Sequence, residues 1–501
     1  MIQSITLAVP SGVSAAVVVL QWLSILPALA FAALGLNYLI LIILGMRRPS
    51  RALPSTDVAS GSSAPPHVLV QIPVYNEGRL VEQVLRAVGT IEYPRDRLSI
   101  QLLDDSDDGS HPANHAIARR VAAELGLRID VLHRVDRHDY KAGALAGGLL
   151  HSDAPFIVLF DADFVPPPDF LNRTLPFFAD PTVGFVQARW GHANRAQTFL
   201  TLAQATMLDG HLLVEQSSRY NAGLPIVFNG TCGVWRRAAL EAAGGWQGDT
   251  LTEDLDLALR TALIGYHGVF VPDLVVPGEL PDSTRAWQAQ QYRWTKGIAQ
   301  VLFKLGPRIW TSNWPLPWRV GVTIQLIQCF FFPISVLNLA LTLPTVLFNM
   351  PVASPVGAIL TVCGVFGMIG VVGFMTRPQI LDGRLHPWRT PRDVILAMAF
   401  ASGLMLSNTR ALIDASLRRR SPFVRTPKTT AGLARARLWA GGLRWPELLL
   451  GVAMVALFFL EQAWNLPFLA VAGTGLIWLG MPDVWPLVRA SVLGESSSRP
   501  S

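Results

Sequence analysis

The sequence predicts an α/β fold, a doubly wound parallel sheet set between apolar helical segments. Two observations carry that expectation. Between residues 67 and 310, apolar β-type runs alternate with helix-like patterns, the order expected of strands joined by crossover helices. Outside that region the chain is strongly apolar, at 13–45 and again beyond 318. Of the 501 residues, 51% are hydrophobic and 15% charged. That balance is too apolar for an ordinary soluble domain and too mixed for a wholly embedded one.

Taken in order, residues 1–48 read as a retained membrane anchor. The apolar run from Ala15 to Gly45 ends in the basic "MRRPSR", a flank expected to stay in the cytoplasm. Residues 49–66, rich in Pro, Ser and Ala, have nothing to bury and form a linker. A cytoplasmic domain spans 67–317. It starts with the strand "HVLVQIPVYNE" (67–77), a helix over 78–88 and the strand "LSIQLLDD" (98–105). A helix over 113–125 leads to "RIDVLHRV" (128–135), then to the small-residue segment "KAGALAGGLL" (141–150) and the strand "PFIVLFDAD" (155–163). Asp104, Asp105, Asp161 and Asp163 fall at strand carboxyl ends, where such sheets bind ligands.

Residues 318–487 form a membrane region. Apolar segments near 320–348, 354–375, 446–463 and 466–486 are candidate spans. The segment 392–415 carries Ser407, Asn408, Thr409, Arg410 and Asp414. A span there would place the basic "LRRRSPFVRTPK" outside, so it reads as an interfacial helix. The expectation is five spans, with the N-terminus outside and a cytoplasmic tail at 488–501. Basic clusters at Arg47, Arg48 and Arg51 and at Arg418, Arg419 and Arg420 explain most of the net charge of +6. They flank apolar runs, which fits membrane topology and gives no reason to expect a nucleic-acid partner. Cys232, Cys329 and Cys363 are too far apart in sequence to suggest a disulfide framework or a zinc site.

The candidate chemistry is carried by carboxylates. Asp161-Ala-Asp163 leaves a strand into a proline-rich turn, and two such carboxylates can share Mg²⁺ or Mn²⁺ when phosphates complete the shell; they can equally act as turn caps. Thr252-Glu253-Asp254 opens a helix, where Thr252 is a candidate N-cap and the acids suit the positive helix end. A carboxylate here could also serve as the base that deprotonates a hydroxyl. In "QQYRW", Arg293 can donate charge-assisted hydrogen bonds to phosphate, Trp294 offers a flat face to a sugar ring, and Gln290 adds a neutral polar group. An amphipathic helix that packs Trp287 and Trp294 inward is the alternative. The chain lacks Walker-A and GxGxxG loops.

The ordered set "QIPVYNE", "LLDDSDD", "KAGAL", "FDADFVPPPDF", "VQARW", "FNGTCGVWR", "AGGW", "TEDLDLALR" and "ELPDSTRAWQAQQYRW" resembles membrane-bound family 2 glycosyltransferases. It is most similar to the cellulose synthase-like A group of mannan and glucomannan synthases and their bacterial relatives. The resemblance covers 67–300 closely and implies a GT-A-like nucleotide-sugar-binding domain with a mixed sheet. It implies nucleotide-facing roles for Tyr75, Glu77, Asp104 and Lys141, with Asp105 beside them. Asp161 and Asp163 resemble the metal-binding DxD pair, and Asp161 also faces the nucleotide. Asp254, with Glu253, resembles the catalytic base. Gln290, Arg293 and Trp294 match the motif at the diphosphate and acceptor end, and residues 228–233 resemble the acceptor-lining loop. "FVRTPK" resembles a gating loop, within 418–432, that would bring Thr426 and Lys428 over the donor; Arg425 stands where the motif has Val.

The resemblance implies inverting, metal-dependent hexosyl transfer from UDP-glucose or GDP-mannose to a growing β-linked polysaccharide. The alternative is single-sugar transfer to a membrane lipid. Expected partners are the nucleotide-sugar donor, a glycan or lipid acceptor, the membrane and accessory export subunits. The expected location is a bacterial-type inner membrane.

Overall fold

The computed structural model describes residues 11–46, 64–419, 443–460 and 467–481. Helices α1 (Ser11–Leu23) and α2 (Ile25–Met46) precede the α/β domain. That domain runs β1 (Val68–Val74), α3 (Gly78–Gly89), β2 (Leu98–Asp104), α4 (His111–Leu125), β3 (Arg128–His133), α5 (Tyr140–Leu149) and β4 (Phe156–Leu159). It continues through α6 (Phe170–Thr174), β5 (Val183–His192), α7 (Phe199–Asp209), a π-helical turn (Gly210–Gln216) and α8 (Ser217–Asn221). Next come β6 (Gly233–Arg236), α9 (Arg237–Ala242), α10 (Glu253–Leu263), β7 (His267–Gly278) and α11 (Thr284–Thr311).

The described strands form one seven-stranded sheet of order β3-β2-β1-β4-β6-β5-β7. β3, β2, β1 and β4 are parallel, as the strand–helix alternation predicts. β6 runs antiparallel to both neighbours, so the sheet is mixed. β1 and β2 are buried on both faces, which explains their near-continuous apolar sequences. Helix α3 buries Val81, Val84, Leu85 and Val88 against them, a spacing that lines one helical face.

Two buried amides depart from that apolar pattern. Gln71 donates to Gln101 at 3.1 Å and to the Leu145 carbonyl at 3.2 Å. Gln101 donates to the Gly148 carbonyl at 2.9 Å. These bonds dock α5 on the sheet. A Cβ on Gly148 would lie 2.5 Å from Gln71 Nε2, so the close approach requires glycine.

After α11 the chain enters α12 (Leu316–Ile327), α13 (Phe331–Leu347), α14 (Ser354–Leu381), α15 (Arg389–Gly403) and α16 (Met405–Ser416). Among the described residues, Ala15–Met46, Leu316–Leu347 and Ser354–Leu381 are long and apolar enough to cross a membrane. Large apolar side chains such as Trp22, Leu26, Val362 and Ile369 stand exposed on them, as lipid-facing surface would. α2 and α14 meet through small residues: a Cβ on Gly370 would fall 2.1 Å from the Gly35 carbonyl oxygen, the close contact small residues permit between membrane helices.

One expectation changes here. The segment expected as one interfacial helix at 392–415 is a pair, α15 and α16, bent by 46°. The expected fourth and fifth spans are described only over Trp445–Leu460 and Pro467–Gly480, both helical and apolar.

Candidate active site

The loops after β1 and β2 are stitched to each other. Asn76, held at φ 56°, donates from its backbone to Ser106 Oγ at 2.9 Å and from its side chain to Asp107 at 2.8 Å. Tyr75 donates to Asp107 at 3.0 Å, and the Arg137 guanidinium lies over the Tyr75 ring at 3.4 Å. Asp105 is clamped by Arg134 through bonds of 2.9 and 2.6 Å. Tyr75, Glu77, Asp105 and Arg137 therefore line one end of a cavity of about 520 Å³ over the sheet's carboxyl edge, within the usual range for ligand sites.

Asp104 does not line that cavity. It is the last residue of β2 and fully buried. Its carboxylate accepts from the Ser106 N–H at 2.9 Å and from Asn114 at 3.0 Å, with His111 at 3.2 Å. Burial alone would raise its pKa, but these hydrogen bonds outweigh burial and hold it below the usual range. The nucleotide-facing expectation for Asp104 is corrected: consecutive strand residues face opposite ways, and Asp105 has the cavity side. Asp104, His111 and His133 do bring three metal-ligand side chains together. The two imidazoles, however, stack at 3.8 Å and 19°. Nearly parallel rings direct their in-plane lone pairs along separate planes, and His133 Nδ1 lies 2.9 Å from the Asp104 carbonyl.

Lys141 is the second residue of α5 and follows two residues with left-handed backbone, Asp139 and Tyr140, strain of the kind held at functional sites. Its ammonium donates to Asp161 at 2.5 Å and to the Gly230 carbonyl at 3.0 Å. Burial would depress its pKa, but Asp161, Glu253 and Asp254 overcome that and raise it. Asp163 is buried and accepts from the Glu279 N–H at 3.3 Å. Both carboxylates reach the cavity wall, and their all-oxygen donor set suits a hard divalent cation.

Glu253 and Asp254 open α10, and both line the cavity. The capping alternative fails for Thr252, whose side chain makes no cap bond. Burial raises the pKa of Asp254, and Glu253 beside it raises it further. Burial likewise raises that of Glu253. Gly230, in the loop 228–233, has φ +82°, and a Cβ there would sit 2.8 Å from Asp254 Oδ2.

Helix α11 closes the cavity with Gln290, Arg293 and Trp294. Gly297, one turn later, explains how they get so close: a Cβ there would meet Thr252 at 2.5 Å, so α11 lies flush on the start of α10. Lys304 pairs with Asp256 at 3.0 Å, which also binds Arg260 at 2.7 Å. Tyr292 donates to Asp414 at 2.5 Å and Lys296 to the Arg419 carbonyl at 2.5 Å, fixing α11 to α16 and to the residues just after it. Trp294 faces Trp190 at 6.5 Å.

Of the expected site residues, Tyr75, Glu77, Asp105, Lys141, Asp161, Asp163, Glu253, Asp254, Gln290, Arg293 and Trp294 share this one cavity. Thr426 and Lys428 lie outside the described residues. Sequence reading passed over Arg137, Trp190, His211, Glu215, Gln325 and Gln328, which also line it. Only Trp190 fell inside a quoted motif; Asn229, on the same wall, belongs to the loop 228–233 singled out by the resemblance.

Residues 69–242 match the model of glycosyl transferase family 2, and residues 156–374 that of glycosyl transferase family group 2. The chain is 40% identical over 283 residues to glucomannan 4-beta-mannosyltransferase 7 of Arabidopsis thaliana, covering 55% of this chain and 50% of that one. It is 38% identical over 307 residues to glucomannan 4-beta-mannosyltransferase 1 of Oryza sativa subsp. japonica, covering 59% and 58%. The chain thus spans about half the length of these curated relatives. In fold it is similar to the mannosyltransferase PcManGT from Pyrobaculum calidifontis, solved with GDP-Man and Mn²⁺. That similarity has a TM-score of 0.56 at 20% identity and covers 80% of this chain and 100% of the other. Residues 69–374 thus carry glycosyltransferase family 2 domain matches, on a GT-A-like sheet beside candidate membrane spans.

Proposed function

We propose that this chain is a metal-dependent, inverting hexosyltransferase. It takes the sugar from a nucleoside diphosphate donor, GDP-mannose before UDP-glucose, and adds it to a growing β-linked mannan-type glycan. One observation carries the reading: the DxD carboxylates, Arg293 and a buried carboxylate at Asp254 converge on a single cavity at the sheet's carboxyl edge. The plant relatives named for glucomannan mannosyl transfer support the mannosyl choice, as does the GDP-Man in the structural relative.

Asp161 and Asp163 would hold Mg²⁺ or Mn²⁺, which when bound supplies positive charge to the donor diphosphate. Arg293 adds a fixed guanidinium where charge develops on the leaving group. Burial pulls its pKa down against the attraction of Glu253, Asp161 and Asp254, yet a guanidinium stays protonated. Lys141 holds Asp161 in place. Tyr75, Glu77, Asp105 and Arg137 form the nucleoside end. Asp254 accepts the proton of the acceptor hydroxyl as that oxygen attacks the anomeric carbon opposite the diphosphate. A single displacement inverts the anomeric centre, and the diphosphate leaves without the protonating acid that glycoside hydrolysis requires. Glu253 raises the proton affinity of Asp254.

The candidate spans support a membrane setting. The relatives reported are plant proteins, so the bacterial inner membrane draws no support from them. A cytoplasmic catalytic face, accessory export subunits and closure by Thr426 and Lys428 stay part of this proposal. The test is to incubate the purified full-length chain with each donor and Mg²⁺ or Mn²⁺, then digest the product with linkage-specific glycanases. A β-mannanase-sensitive polymer is expected. A single-sugar glycolipid would favour the lipid-acceptor alternative, and the absence of transfer from either donor would overturn the proposal.

A further inference from the structure

We infer that a groove between α13 and α16 binds one anionic phospholipid of the bilayer, with an acyl chain in the groove and the phosphate facing Arg410 and Arg418. The groove shares no lining residue with the catalytic cavity, so this site is separate from the donor and acceptor positions proposed above.

The groove has a volume of about 310 Å³, at the lower end of the range for ligand sites. Phe330 and Pro333 form one side, and Leu412, Ile413 and Leu417 the other. The first two belong to the candidate span Leu316–Leu347. Ile413 and Leu417 are 50% and 57% exposed, so the apolar lining continues onto the outer surface. Of the two hydroxyls in the wall, that of Ser416 donates to the Leu412 carbonyl at 3.0 Å. A buried water needs about two to four polar partners and finds too few here, whereas a hydrocarbon chain needs none.

The second hydroxyl, Thr409 Oγ1, is covered from solvent and has no hydrogen-bond partner among the described residues. Thr342 and Thr361, in the candidate spans, donate to the carbonyl four residues back, both at 2.8 Å; Thr409 does not. A covered donor without an acceptor is costly and calls for an explanation, and a glycerolipid ester carbonyl supplies the acceptor. Arg410 precedes Ile413 and Leu417 by one and two helical turns, which puts it on their face of α16. It is 79% exposed, and its pairing with Asp414 is long at 3.8 Å. Arg418, beside Leu417, is exposed and makes no ion pair among the described residues. Arginines lay their stems on apolar surface and keep the guanidinium at the headgroups, where such clusters attract anionic lipid. The groove also touches the brace on the catalytic wall. Leu412 packs with Ala415 against Ala299 of α11, so a chain seated on Leu412 stiffens the contact that positions Arg293 and Trp294.

The test uses the full chain in detergent with phosphatidylglycerol or phosphatidylcholine that carries a diazirine in one acyl chain. Labelled peptides are mapped by mass spectrometry after irradiation. Phosphatidylglycerol is expected to label the peptides holding Phe330 and Leu412 about fivefold more than phosphatidylcholine, the size of one basic residue's attraction to an anionic surface. Arg410→Gln combined with Arg418→Gln is expected to abolish that preference. Thr409→Val, matched in shape, is expected to reduce labelling by both lipids while the melting temperature in lipid-free detergent holds, which separates lost binding from lost folding. Equal labelling by the two headgroups, label confined to other helices, or a preference that survives the double substitution overturns the site. So does competition by a polyisoprenyl phosphate but not by unlabelled phosphatidylglycerol.

Discussion

At the residue scale the proposed chemistry rests on Asp254. Its pKa is raised to about 7, first by burial and then by Glu253, and a base must be ionised to act. Transfer should therefore rise with pH through an acidic limb near neutrality, which a kcat–pH profile would read. The sign for stability is opposite. An aspartate whose folded pKa exceeds its ordinary value of about 4 stabilises the fold below that value, and this contribution fades as pH climbs toward 7. Thermal melts of the chain without donor or metal should show that decline. Asp254→Asn should cut kcat by roughly 10²–10⁴ with donor affinity retained, as read by stopped-assay kinetics beside calorimetry. Gly230→Ala should damage turnover more than folding, because the new methyl would press on Asp254; the ratio of kcat loss to melting-point loss is the readout. The sequence made the acids legible but not which of Asp104 and Asp105 turns to the cavity. Strand side chains alternate, so a one-residue ambiguity at a strand end reverses the assignment.

Elements tell a similar story. The parallel half of the sheet was readable because its strands alternate with helices. β7 was not recognised, since Pro272 and Pro277 interrupt it, and proline argues against an interior strand. The structure places β7 at the sheet edge beside β5, with a register break between Ala188 and Arg189, where prolines are tolerated. The π-turn had no sequence signal either, for a single inserted residue leaves helical periodicity nearly intact. α5 depends on the Gln71–Gln101 pair. Gln101→Leu would remove one of the two acceptors of Gln71 and the side-chain donor to the Gly148 carbonyl, and an unsatisfied buried polar group costs about 1–3 kcal/mol. The melting temperature should fall accordingly, with Lys141 loosened and donor KM raised.

For the molecule as a whole, ion pairs tie the α/β domain to the end of α14. Arg189 meets Asp382 at 2.9 Å, while Arg384 and Arg195 meet the buried Asp209 at 2.8 and 2.5 Å. Removing one partner of a buried pair strands the others, at about 3–5 kcal/mol. Asp209→Ala should thus lower thermal stability sharply, read by a melt in detergent, whereas Asp382→Ala, at a more exposed pair, should cost far less. The sequence showed where the apolar segments lie but not this strap, because its partners are almost two hundred residues apart.

The hold of α16 on α11 has a practical corollary. Arg293 and Trp294, which line the cavity, ride on a helix braced by α16, so an excised sheet domain would lose the geometry of that wall. Donor preference has to be dissected in micelles or nanodiscs. Chimaeras between relatives will need to exchange α11, α12 and α16 as a single cassette.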